Sequence, residues 1–149
     1  MQSKETGKNT SKKETSLYAP VRDYFTEQGY RVLGEVNGCD VVAWDEQLLV
    51  VIEMKLNLNL VLVAQAVQRQ KFADRVYVAV PRPKNKWRWI SANRDSLDVL
   101  RRLKVGLLLV SLTKAKPKVD EVLAPDRKSG LLSQRTRKAL LKEIGRAHV

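Results

Sequence analysis

The 149-residue chain has one cysteine and one histidine, and each scarcity excludes a kind of chemistry. Cys39 alone cannot close an internal disulfide or build a thiolate metal cluster, which suits a reducing compartment. His148 alone rules out a His-rich zinc site and argues against a Ser-His-Asp hydrolase. No apolar run reaches membrane-spanning length, and the polar N-terminal stretch lacks the apolar centre of a signal peptide, so the expectation is a soluble cytoplasmic domain that binds no membrane. No Gly-rich phosphate loop appears either, which disfavours an enzyme acting on a small phosphorylated metabolite. Acids are the scarcer charge: 16 Asp and Glu against 28 Lys and Arg leave a formal +12, an excess that favours anionic partners, nucleic acid first.

What is present is a globular balance, 44% apolar and 30% charged, sized for one domain. Residues 1–15 contain almost nothing apolar and read as a flexible arm; 16–124 read as the domain; 125–149 read as a basic tail carrying a helix. Leu17, Val21, Tyr24, Phe25 and Gln28 recur at helical spacing, and Gly29 closes that helix. A three-stranded meander follows at 30–36, 39–44 and 48–55, its first turn Asn37-Gly38, the strongest two-residue hairpin signal. The run LLVVIEMK suits a central strand covered on both faces. A helix over 58–73 and a strand over 75–80 imply a parallel crossover. A helix over 91–104, a strand over 106–112, a weaker edge strand over 119–123 and a last helix over 133–144 complete an α/β architecture with a mixed sheet flanked by helices.

Register turns this outline into chemistry. With Asn37-Gly38 as the loop, Glu35 lies opposite Asp40 on a shared face. Glu53 and Lys55, two apart on the third strand, also share a face. The second turn decides whether these faces coincide: a two-residue loop opposes Asp40 to Val51, a four-residue loop opposes it to Glu53, and a three-residue loop turns Asp40 away. Carboxylates gathered across strands repel, and a hard divalent cation, Mg²⁺ or Mn²⁺, offsets the repulsion with oxygen ligands and no histidine. The plainer alternative is charge at strand ends, with Lys55 paired to Glu53.

Asp40, twelve intervening residues, then Glu53-Met54-Lys55, set within an αβββαβ outline, resemble the PD-(D/E)XK nuclease superfamily. The stretches GEVNGCDVVAW, VVIEMKL and ADRVYVAVP are similar, more closely, to a bacterial family of unknown function described as PD-(D/E)XK-type phosphodiesterases. The resemblance implies a restriction-endonuclease-like core. It implies that Asp40 and Glu53 hold the metal, that Met54 offers its carbonyl, and that Lys55 is the catalytic lysine. The Pro that precedes the Asp in that superfamily is replaced here by Cys39, which reads as a small core residue. Glu35 joins the metal set by register alone. Gln65 is a candidate water or phosphate contact, and Arg69, one turn on, a nucleic-acid contact.

The stretch PRPKNKWR carries Arg82, Lys84, Lys86 and Arg88 with no intervening acid, interleaved with Trp87 and followed by Trp89. Cations for the backbone and aromatic faces for bases suit nucleic acid. In the tail, Leu132, Thr136, Leu140 and Ile144 form a narrow apolar stripe, leaving Arg135, Arg137, Lys138 and Lys142 to face water or nucleic acid. The expectation is a metal-dependent phosphodiesterase, a DNA nuclease using a metal-activated water. Its rivals are an inactive nucleic-acid-binding module of the same fold and an adaptor acting through the last helix. A homodimer is left open.

Overall fold

The computed structural model describes residues 14–113, 118–126 and 134–147. The expected arm up to residue 13, Leu132 and the expected helix start at Ser133 lie outside them. Six strands form one mixed sheet in sequential order: β1 (Arg31–Val36), β2 (Cys39–Trp44), β3 (Leu49–Met54), β4 (Arg75–Pro81), β5 (Gly106–Val110) and β6 (Val119–Leu123). β1, β2 and β3 run antiparallel as a meander, β3–β4 and β4–β5 are parallel, and β6 returns antiparallel on the edge. Every residue of β3 and of β5 is buried, as their unbroken apolar runs require of strands covered on both sides.

One helix, α1 (Tyr18–Glu27), covers one face of the sheet with Leu17, Val21 and Phe25 against Val41, Val50, Ile52 and Tyr77. The opposite face carries α2 (Leu60–Arg69), α3 (Lys86–Ala92), α4 (Arg94–Leu103) and α5 (Gln134–Ala147), through Leu62, Ala66, Trp89, Leu97, Leu100, Leu140 and Ile144. Among the described residues no helix is long and apolar enough to cross a membrane.

Several elements differ from the sequence reading. Glu14 and Thr15, assigned to the arm, already belong to a helical turn ahead of α1. The helix expected over 58–73 is shorter, because Asn59 caps it by accepting the Leu62 N–H at 2.9 Å. The helix expected over 91–104 is two, broken at Asn93, and the first begins five residues earlier, inside the basic stretch. Asn85 starts it by accepting the Arg88 N–H at 3.0 Å. The last helix runs through Gly145 to Ala147. Its Arg137, expected to face solvent, donates to the buried Asp74 carboxylate at 3.3 Å.

The two turns of the meander set the site. Asn37 and Gly38 both have positive φ, 49° and 80°, as a tight two-residue hairpin demands. The second turn has four residues, since Trp44 pairs with Leu49. Asp45 shapes it: its carboxylate accepts the Gln47 and Leu48 N–H groups at 2.8 and 2.7 Å. Of the open registers this is the one that brings Asp40 opposite Glu53, next to the pair Val41–Ile52.

Candidate active site

Asp40 and Glu53 meet at the C-terminal end of β3. Asp40 Oδ2 accepts the Met54 N–H at 2.8 Å, which ties the acid to the neighbouring strand. Glu53 is almost wholly buried, 2% exposed, and its Oε1 accepts from Arg69 Nε at 2.6 Å. Arg69 also donates to the Gly38 carbonyl at 2.8 Å, so one guanidinium joins α2, the hairpin tip and the buried acid. Burial pushes the Glu53 carboxyl up to about 7; the Arg69 hydrogen bond opposes that, and the adjacent Asp40 adds to it. Glu53 therefore gives up its proton reluctantly beside a second acid, with one arginine favouring the ionised form.

Alternation fails beside Asp40. Val36 pairs with Cys39 and Gly34 with Val41, yet Cys39 belongs to the core beneath α2 while Val41 belongs to the core beneath α1. Glu35, between the paired positions, takes φ 54°, and this local twist turns the strand over. As a result Asp40 serves both sides of the sheet corner. It neighbours Glu53, and it also lines a cavity of about 430 Å³ with Glu14, Thr15, Tyr18, Gly34, Glu35 and Met54. The cavity needs Gly34: a Cβ there would come within 2.9 Å of the Tyr18 ring.

The expected convergence on a single face is realised in part. Asp40 and Glu53 come together, and Asp40 and Glu35 share the cavity. Lys55 leaves the face shared with Glu53: its Nζ lies 3.8 Å from Oε1 of Glu14, which lines the cavity. Among the described residues no three His, Cys, Asp or Glu side chains group to hold a metal ion, so Glu35 is not gathered with Asp40 and Glu53 into a three-acid cluster. Two adjacent carboxyl groups, hydrogen-bonded to each other as well as to the Met54 N–H and Arg69, are an oxygen donor set of the kind that fits a hard divalent cation once their shared proton is displaced. Glu14 is the residue the sequence reading missed. Its setting among Lys, Thr and Asn hides it, and the one available signal is its position a turn before Tyr18.

Gln65 is half-buried on the helix face it shares with Arg69, four residues away. Arg69, expected to touch nucleic acid, is instead committed to Glu53 and Gly38. In the basic stretch, Arg82 and Lys86 both reach Asp120 Oδ2, at 3.4 and 3.5 Å, whereas Lys84, Trp87 and Arg88 are exposed. Cys39 is buried and its thiol is pushed up to about 11 by burial, as befits a core residue. No protein-family model matches the chain, and no curated protein matches it.

Proposed function

We propose that the protein is a metal-dependent phosphodiesterase, a DNA nuclease of the PD-(D/E)XK type with a restriction-endonuclease-like core, working in the cytoplasm. The observation that carries the reading is the Asp40–Glu53 pair, set opposite one another by the four-residue turn, beside an acid-lined cavity whose Glu14 pairs with Lys55. Asp40 and Glu53 would hold Mg²⁺ or Mn²⁺, with the Met54 carbonyl as a further oxygen. Such an ion, when bound, acidifies a water and stabilises charge on a phosphoryl group.

The chain's own groups do the rest. The Met54 N–H fixes the Asp40 carboxylate, and Arg69 fixes Glu53, so neither acid must reorganise when substrate arrives. Glu14 orients the Lys55 ammonium. Lys55 directs the attacking water and neutralises the phosphorane as the water oxygen bonds to phosphorus and loses its proton to solvent, while the ester P–O bond breaks and the leaving oxygen takes a proton from water. Gln65 holds a phosphate oxygen or that water. Lys84 and Arg88 hold the backbone.

Incubating linear and circular DNA with wild type and Lys55→Ala, with and without Mn²⁺, tests this. Metal-dependent cleavage that falls at least about 100-fold in the variant supports it; cleavage unchanged in Lys55→Ala contradicts it. The Arg69–Glu53 ion pair favours a second reading, a nucleic-acid-binding module without turnover, because it already supplies a cation to the buried acid. That module would bind DNA equally well with and without Lys55, and would cut none.

A further inference from the structure

The most exposed aromatic side chain of the described residues is Trp87, 73% exposed, and its placement is enforced rather than incidental. Trp87 and Trp89 are two apart on α3, so they project from opposite sides of the helix. Trp89 and Ile90 pack on the core, and that anchorage turns Trp87 outward. Asn85 fixes where the helix starts. On the flank, Lys86 pairs with Asp120 at 3.5 Å and its Nζ stands 5.3 Å from the centre of the Trp87 ring. The indole is thus presented by a secured helix, with one ion-paired cation beside it and two exposed cations, Lys84 and Arg88, on either side in sequence.

This platform stands at the same end of the sheet as the acid pair. α3 follows the C-terminal end of β4, which pairs in parallel with β3, and the Lys55 N–H donates to the Ala79 carbonyl at 3.1 Å. Leu60 and Val61, also exposed, begin α2 at that end. A flat aromatic face flanked by cations matches the two surfaces of an unpaired nucleotide, the base and its phosphate. In a duplex the base faces are hidden by stacking, so a duplex can use the cations but not the ring.

We infer that Trp87 stacks on an unpaired base, and that the strand led to the acid pair is single-stranded or locally opened nucleic acid. This specifies the substrate class of the proposed nuclease and rests on that reading for its catalytic consequence.

The test is binding of the full chain, in EDTA at fixed salt, to a labelled oligothymidylate and to a duplex of equal length. Trp87→Ala should weaken the oligothymidylate about ten-fold and the duplex less than about two-fold, and Trp87→Phe should recover most of the loss. Lys84→Ala should weaken both. Equal losses on the two probes, or none, would overturn the inference. Because EDTA suppresses cutting, this readout stands apart from the Lys55-dependent cleavage that tests the nuclease itself. Selective binding without cleavage would leave Trp87 its role and remove the enzyme.

Discussion

Glu53 combines burial, an adjacent carboxylate and one arginine. A carboxyl whose pKa rises on folding binds its proton more tightly in the native state. Its stabilising share is therefore full below the ordinary 4.5 and lost as the pH climbs through about 7. In metal-free protein the melting temperature should fall across that window, and Glu53→Gln should flatten the fall; parallel wild-type and variant curves would contradict the assignment. Cys39 offers a second check. With the side chain 1% exposed and the thiol raised to about 11, it should resist a thiol reagent at neutral pH in the native protein and react once denatured. Rapid native labelling would mean that the hairpin opens.

The elements show which parts of the design were readable. The β1–β2 hairpin was, because Asn37-Gly38 states its own geometry; β3 and β5 were, because an unbroken apolar strand must be central. The parity of the second turn was not: it depends on whether the Asp45 carboxylate takes two amides, which spacing does not reveal. α3 was hidden because its apolar contacts, Trp89 and Ile90, are embedded in a run of cations without visible periodicity. The Asp40–Glu53 pairing was legible as one of the open registers. The Arg69 bridge and the Glu14–Lys55 pair were not, since they join elements whose approach only packing fixes. Close packing also makes β5 sensitive at its first residue. A Cβ at Gly106 would lie 2.6 Å from the Tyr77 ring and 2.7 Å from Pro125, so Gly106→Ala should cost about 1–3 kcal/mol in denaturant unfolding. A smaller loss would show that the Tyr77 ring can shift away.

Across the molecule, the proposed function requires the charge and the site to serve the same ligand. A formal +12 favours a polyanion as ligand, whereas the adjacent acids Asp40 and Glu53, balanced by Arg69 alone among the contacts described, would disfavour a phosphate beside them without a further cation. The rival adaptor role has less to work with: Leu140 and Ile144, the inner stripe of α5, are buried in the domain's own core, and Arg137 is held by Asp74. Affinity for DNA should fall steeply as salt rises, measured by anisotropy at several ionic strengths; a flat profile would contradict backbone contact by the basic groups. The most direct measurement is calorimetric titration of Mn²⁺ into wild type and Asp40→Asn. The account predicts a binding site in the wild type that is lost, or weakened at least about ten-fold, in the variant. Equal binding by both proteins, or no binding by the wild type, would contradict it.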